Sequence, residues 1–436
     1  MSETKLKFWM ETKLAKVANR SRSDSEAVFS RIMPLITKEA LASCFHKLDG
    51  RKAVGADGLD KDAFGKDLDK NIENLWLRMK AMRYRPKPVK QVLIPKEPYG
   101  SRPLGISDIE DKIVQMAFAK VLDAIYEPIF KDCSYGFRSG RGCHHAIRSL
   151  RDHLYRGRVK VVIDLDLKNF FGSIDHGKLV AILRMKIQDE RFMRYIIRML
   201  RSGILIDNEF KTTDEGTPQG SIISPVLANI FAHYVLDMWI ENTVNRHCVS
   251  RVRMFRYADD QVICCSNRDD ARRLTKALPK RLGRFGLELN KEKSKVLSFD
   301  RDLFERKVKQ ESFDFLGFTF FIGNTAKGYP VPMVKTSSKK FNAKLKRMKE
   351  WCKKYRNTYK MADLWRFLCR KLIGHVNYFG VSFNNRMVGR FIRRSTREFF
   401  KWMNRRSQKR SMNWEKFNLF LFTFPPPKVI IRHRLF

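Results

Sequence analysis

The segment Arg253-Met-Phe-Arg-Tyr257-Ala258-Asp259-Asp260-Gln-Val-Ile-Cys-Cys265 sets two adjacent carboxylates between two apolar runs. Such a pattern reads as strand, tight turn, strand, with Asp259 and Asp260 at the hairpin tip. Far upstream, Val161-Val-Ile-Asp164-Leu-Asp166 is apolar almost without a break until its own carboxylates, as expected of a central strand covered on both faces. If the two strands are neighbours, Asp166 meets the hairpin tip, and three carboxylates in one place repel one another unless cations are present. Oxygen ligands of this kind suit Mg²⁺. Two such ions about 4 Å apart lower the pKa of an attacking hydroxyl and stabilise a leaving pyrophosphate. An Asp-Asp pair alone is also an ordinary turn; the flanking strands and the second acidic strand are what favour chemistry.

With 436 residues the chain is long enough for two or three domains, and its 43% hydrophobic and 12% aromatic content allows substantial cores. The formal net charge of +42 requires a polyanionic partner. The start is polar and no run of about 18 apolar residues occurs, so nucleic acid is the expected partner rather than a membrane, and the expected location is the cytosol. The eight cysteines lack zinc-type spacing and read as reduced thiols. Because Cys264 and Cys265 alternate faces of a strand, one of them is expected in the core.

Along the chain, the first 50 or so residues show helical periodicity and lead into the turn Gly55-Ala-Asp57-Gly58. A helix is predicted through Ile72–Met82, stopped by Pro86 and Pro88. The stretch from Val89 to Lys96 reads as a strand, and the loop from Glu97 to Ile106 as a return that brings Lys96 and Arg102 together. Paired cations there suit a triphosphate, or are simply a solvated surface. Residues 108–130 read as a helix, as do 226–239 and 271–285. The loop Glu215-Gly-Thr-Pro-Gln219-Gly220 permits close backbone approach to a base pair, or is only a helix entrance. Beyond about Val334, Lys and Arg interleave with Trp351, Tyr355, Tyr359 and Trp365 at helical spacing, and Pro425-Pro-Pro427 suggests an extended tail.

The ordered series Gly55-Ala-Asp-Gly, Ile94-Pro-Lys96 to Arg102-Pro-Leu-Gly-Ile, Ser134-Tyr-Gly-Phe-Arg138, Asp166-Leu-Lys-Asn-Phe-Phe, Gly216-Thr-Pro-Gln-Gly, Tyr257-Ala-Asp-Asp, Lys291-Glu-Lys-Ser-Lys and Phe315-Leu-Gly-Phe resembles the reverse transcriptases encoded by bacterial group II introns. The resemblance covers most of the chain. It implies an α+β, right-hand polymerase, with fingers and palm built on an antiparallel sheet packed on helices and followed by an α-helical thumb. The implied boundaries are an N-terminal extension and start of the fingers at 1–88, fingers and palm at 89–333, and thumb or maturase domain at 334–436, with no endonuclease domain.

By the same resemblance, Asp166, Asp259 and Asp260 are catalytic and, with the Leu167 backbone, hold two Mg²⁺ ions, for which Mn²⁺ is a possible substitute. Lys96 and Arg102 hold the triphosphate, Gln219 lies along the nascent base pair, and Phe170 gates against ribonucleotides. Tyr257, Lys291, Lys293 and the turn Phe315-Leu316-Gly317 contact primer and template. Lys339, Lys340, Lys344, Lys346 and Arg347 bind RNA. Asp164 also ends the first acidic strand and shares a face with Asp166, but the Asp-x-x-x-Phe-Phe spacing favours Asp166.

The implied partners are an RNA template, notably a structured group II intron RNA, together with a DNA primer and deoxynucleotides. The implied function is RNA-directed DNA synthesis with assistance to intron splicing. Two alternatives stand beside it: a free-standing enzyme of the same kind in DNA repair or antiphage defence, and a non-catalytic RNA-binding splicing cofactor. Retention of all three carboxylates argues against the last.

Overall fold

A computed structural model describes residues 3–95, 101–206, 209–211, 215–216, 220–406 and 412–435. The chain forms two compact units, each assembled from separate stretches of sequence. The first comprises residues 1–142, 165–263 and 269–295, and the second 143–164, 264–268 and 296–436. The fold class is α+β.

In the first unit the helix Ile109–Tyr126 is the central element. Its residues Ile113, Val114, Ala117, Phe118, Val121, Leu122 and Ile125 are wholly buried, because apolar side chains recur on nearly every face. The helices Glu3–Ser23 and Lys38–Lys47 pack against it. Thr37 caps the second of these by accepting the Ala40 amide. The helix expected near 72–82 spans Leu68–Lys80.

The turn at Gly55–Gly58 is tied to the start of the central helix. Buried Asp108 accepts the Ala56 amide at 2.8 Å and lies 3.0 Å from the Lys87 ammonium.

The strands Val89–Pro95 and Ser101–Ile106 form the expected hairpin, antiparallel from Lys90↔Ile106 to Pro95↔Ser101. The sheet is not purely antiparallel as expected: Val89 pairs in parallel with Ile204, and Ile204–Ile206 in turn pairs antiparallel with Glu209–Lys211. The helix expected over 226–239 also departs from regularity. It is α-helical only over Ser224–Ala232 and continues as two π-helical stretches, His233–Asp237 and Ile240–Val244. A π turn takes an extra residue and commonly marks a place where a side chain has been recruited for another purpose.

The second unit contains a three-stranded antiparallel sheet, Phe313–Phe315, Phe318–Asn324 and Pro330–Thr336. Four helices follow: Ser338–Tyr355, Met361–Phe379, Asn385–Met403 and Trp414–Thr423. Their aromatic residues form the core, with Trp365 5.0 Å from Phe399 and Phe341 5.6 Å from Phe391 between ring centroids. The expected boundary between 333 and 334 falls inside the strand Pro330–Thr336, which lies wholly in this unit.

The upstream helix Cys143–Arg156 belongs here as well. It buries Ala146, Ile147, Leu150 and Leu154. Arg148 donates to the carbonyl of Arg434 at 2.9 Å, and His144 Nε2 lies 2.8 Å from the carbonyl of Tyr378.

Candidate active site

Ala258 and Asp259 form the turn between the strands Arg253–Tyr257 and Asp260–Cys265, and Asp260 opens the second strand, so both carboxylates stand at the hairpin tip as the apolar flanks predict. Asp259 is half-buried and Asp260 exposed. Ala258 has φ +57°, a left-handed conformation that costs a non-glycine residue about 1–3 kcal/mol and persists only where its surroundings impose it.

Two features impose it. The first is Gly136, whose hypothetical Cβ would lie 2.4 Å from the Ala258 nitrogen, so only glycine lets the Ser134–Arg138 loop press against this turn. That loop is also laced to the strand: Tyr135 donates its amide to the Arg256 carbonyl at 2.8 Å, and Arg256 donates its own to Cys133 at 2.7 Å.

The second is the Arg256 side chain, which is completely buried. Its guanidinium donates to both carboxylate oxygens of Asp237 at 2.8 and 2.6 Å, to Asn229 Oδ1 at 2.9 Å and to Ser134 Oγ at 2.8 Å. It also reaches the Ala258 carbonyl at 3.5 Å. Burial alone would raise the pKa of Asp237, but Arg256 and His233 outweigh it and hold the carboxyl below its ordinary value. Burial pulls His233 down, so Arg256 supplies the positive charge at neutral pH.

Asp166 is reached by register. The strand Asp260–Cys265 lies between Arg253–Tyr257 and Val161–Leu165. The Lys160 amide donates to the Cys265 carbonyl at 3.0 Å. Only an antiparallel course from that bond lays the two strands alongside each other, and counting along it sets Leu165 opposite Asp260 and Asp166 beside Asp259.

A second set of contacts holds Asp166 from below. The Asn290 amide donates to its carbonyl at 2.9 Å, Ser294 Oγ accepts its amide at 3.0 Å, and the Lys293 ammonium stands 3.8 Å from Oδ1. Its side chain remains 37% exposed and thus accessible to a ligand.

Leu167 pairs with Leu289 in an antiparallel bridge whose bonds run from Lys168 to Glu288 and from Asn290 to Asp166. Leu167 therefore sits at the non-hydrogen-bonded position, and the ladder makes no demand on its own carbonyl.

Among the described residues no three His, Cys, Asp or Glu side chains converge into a ready-made metal site. The donor set is nevertheless of the right chemistry for a hard divalent cation: three carboxylates at adjoining positions and one carbonyl, with no nitrogen or sulfur ligand.

Other expected site residues fall as follows. Lys96 and Gln219 lie outside the described residues, as does the Arg102 side chain, although the Arg102 backbone pairs with Ile94. The residues that flank Gln219 in sequence are anchored. The Gly216 amide donates to Ile174 at 2.8 Å, and Gly220, with φ +109°, approaches so closely that a Cβ would lie 2.4 Å from the Gly105 carbonyl oxygen. Tyr257 is half-buried, and Lys291 and Lys293 are exposed.

Phe170, the expected gate, is 3% exposed and opens a 3-10 turn that follows Asn169 at φ +43°. That turn leaves Phe171 as the half-exposed ring, 5.5 Å from Phe170 and edge-on to Phe137 at 6.4 Å. Cys264 and Cys265 are both buried, not one of them, because both faces of their strand are covered.

In the second unit, Leu316 and Gly317 both have positive φ and form the two-residue turn of a hairpin. The Tyr378 hydroxyl donates to the Leu316 carbonyl at 2.8 Å. Phe315 beside them is buried. Lys339, Lys340, Lys346 and Arg347 are exposed on the helix Ser338–Tyr355, whereas Lys344 is half-buried with its ammonium 4.6 Å from the centre of the Phe379 ring.

Sequence reasoning missed Gly136, Asn229, Asp237 and Arg256 as supports of the turn. The available signal was a charged residue, Arg256, inside an otherwise apolar strand.

The chain belongs to the reverse transcriptase (RNA-dependent DNA polymerase) family, whose pattern matches residues 94–320, just over half of it. That family works with divalent metal ions. The "Uncharacterized 91 kDa protein in cob intron" of Schizosaccharomyces pombe is 38% identical over 234 residues, covering 53% of this chain and 28% of that protein. The "Group II intron-encoded protein LtrA" of Lactococcus lactis subsp. cremoris is 32% identical over 222 residues, 50% of this chain and 37% of that protein. "Protein YkfC" of Escherichia coli K12 is 31% identical over 280 residues, 57% of this chain and 74% of that protein. The chain thus spans only about a third of the length of the first two relatives. No described helix is long and apolar enough to cross a membrane.

Proposed function

We propose that this protein copies RNA into DNA by two-metal phosphoryl transfer. The observation that carries this reading is the register that sets Asp166 beside the Asp259–Asp260 turn. In it, Asp166, Asp259, Asp260 and the Leu167 carbonyl hold the cations. Two Mg²⁺ ions, or Mn²⁺ in their stead, would activate the primer hydroxyl and neutralise charge on the leaving pyrophosphate.

The remaining roles follow the polymerase arrangement of fingers, palm and thumb. Lys96 and Arg102 hold the triphosphate, and Gln219 lies along the new base pair. Tyr257, Lys291, Lys293 and the Phe315–Gly317 turn hold primer and template. The exposed cations Lys339, Lys340, Lys346 and Arg347, with Lys344, follow the RNA backbone on the thumb. Relatives named for introns support a further role in splicing a structured group II intron RNA.

The test is extension of a DNA primer on an RNA template with Mg²⁺ titrated from zero. Extension that requires the metal is expected and is abolished by chelation. Equal yield in excess chelator, or no extension on any RNA template at saturating metal, would overturn the proposal.

Of the two rings we assign the sugar gate to Phe171, which is half-exposed, in place of the buried Phe170. Phe171→Ala is expected to raise ribonucleotide incorporation relative to deoxyribonucleotide in single-nucleotide insertion. Phe170→Ala is expected chiefly to cost stability, by about 3–5 kcal/mol for a buried Phe. The opposite pattern would restore Phe170 to the role.

A further inference from the structure

The second unit contains a small hollow among its helices. The helices Ser338–Tyr355, Met361–Phe379 and Asn385–Met403 line a hollow of about 260 Å³ that opens to the surface, with Lys344, Arg347, Trp351, Lys371, Gly374 and His375 among its walls. This lies below the roughly 300–1,000 Å³ of sites for larger organic ligands. It has room for one flat ring system.

His375 is 3% exposed, and neither of its ring nitrogens has a hydrogen-bond partner. Buried polar groups are normally satisfied, so an imidazole that lines the hollow with both nitrogens buried and unpartnered calls for a ligand. Its ring is fixed by stacking on Phe391, at 3.8 Å between centroids and 12° between planes. Burial, assisted by the nearby Lys344, pushes its pKa down to about 3. The imidazole is therefore neutral, offering one donor and one acceptor, as the edge of a nucleobase requires.

Gly374 is the second observation. Glycine in a helix interior is unfavourable and is usually explained by a neighbour that excludes a side chain. Here a Cβ would meet nothing within 4 Å. No internal packing demands glycine at this position; its effect is to leave the cavity wall open.

The charges define the rest of the ligand. Lys344, Arg347 and Lys371 line the cavity with no carboxylate among them, and the Lys371 ammonium lies 5.2 Å from the centre of the Trp351 ring. Aromatic surface for stacking, a neutral hydrogen-bonding edge and surrounding cations are the combination by which proteins take hold of unstacked bases in folded RNA.

We propose that this cavity receives a single unpaired nucleobase from a folded RNA, with the flanking phosphates held by Lys344, Arg347 and Lys371. The proposal rests on the reading of the second unit as RNA-holding and assigns it a specific contact: single-nucleotide bulges, rather than uniform duplex, are preferred.

The test uses the full chain and a short RNA hairpin carrying one bulged 2-aminopurine, compared with the same hairpin fully paired. The bulged hairpin is expected to bind about tenfold more tightly, the equivalent of about 1.4 kcal/mol, within the range of a single base stack. Gly374→Leu fills the open wall with a better helix former. It is expected to melt at or above the wild-type temperature and to abolish the preference. His375→Phe, which keeps the stacking on Phe391 and removes both nitrogens, is expected to reduce it.

Equal affinity of the wild-type protein for the two hairpins would overturn the cavity assignment alone, whereas failure to bind either would overturn the RNA-holding reading beneath it. A preference that survives in Gly374→Leu also overturns the assignment, and if that variant melts low, an undiminished preference in His375→Phe does so instead. The same preference for a bulged DNA hairpin would overturn the choice of RNA.

Discussion

Asp259→Asn is expected to slow primer extension on an RNA template by at least about 10³-fold while leaving template–primer affinity nearly unchanged. The carboxylate is half-buried at the hairpin tip, so an amide of the same size fits without disturbing the fold. What it lacks is the negative charge proposed to hold a divalent cation. The charge stabilisation supplied by such a cation is worth several kcal/mol, and each 1.4 kcal/mol or so is a factor of ten in rate. Affinity is set elsewhere: one charge among a formal net of +42 is a small change to a polyanion-binding surface. Single-turnover extension and equilibrium binding on the same template separate the two quantities. Extension within tenfold of wild type would remove Asp259 from the metal site.

The second large effect is expected at a residue that touches no substrate. Asp237→Asn leaves the buried guanidinium of Arg256 without its counter-charge, and breaking such a pair from one side costs about 3–5 kcal/mol. That is a large part of the roughly 5–15 kcal/mol that holds a typical domain together. Denaturant unfolding checks the magnitude. Because the Asp237 pKa is lowered in the folded chain, the contribution of the pair is complete above the unfolded-state value of about 3.9 and is lost only as pH falls through the lowered folded value. The cost of Asp237→Asn should therefore be constant between pH 5 and 8, as an experimental range, and shrink in acid. Combining Asp237→Leu with Arg256→Met is expected to recover stability relative to either single change. It should not recover extension, since Ser134, Asn229 and the Ala258 carbonyl still lose the group that aligns them. Full activity in the double variant would show that the turn holds itself.

These two residues also mark where sequence reasoning works and where it stops. The hairpin around Asp259, the acidic strand end at Asp166 and the hairpin from Val89 to Ile106 were readable because period-two alternation and apolar runs are local patterns. Asp237 was not, because its partner is 19 positions away and its helix had to pass into π geometry to present it. Phe170 and Phe171 could not be told apart by type. Which ring faces inward depends on the left-handed conformation of Asn169 just before them. Cys264 and Cys265 look like one inward and one outward residue until both faces of the strand are known to be covered.

The helix Cys143–Arg156 has a consequence for how the protein is made and dissected. It buries Ile147 and Leu150, and its partners lie far downstream: Arg151, His144 and Arg148 bond the carbonyls of Pro332, Tyr378 and Arg434, and the His433 ring stacks 3.5 Å from that of His144. On the ribosome this helix emerges more than a hundred residues before the sheet and helices that cover it. At about 5–20 residues per second it waits on the order of ten seconds with its greasy side unsheltered. A protein cut short after residue 295 never ends that wait, so low yield or aggregation of such a fragment would reflect an orphaned helix rather than any defect in catalysis. The natural dissection is instead by substitution within an intact chain, or by supplying the missing stretch in trans.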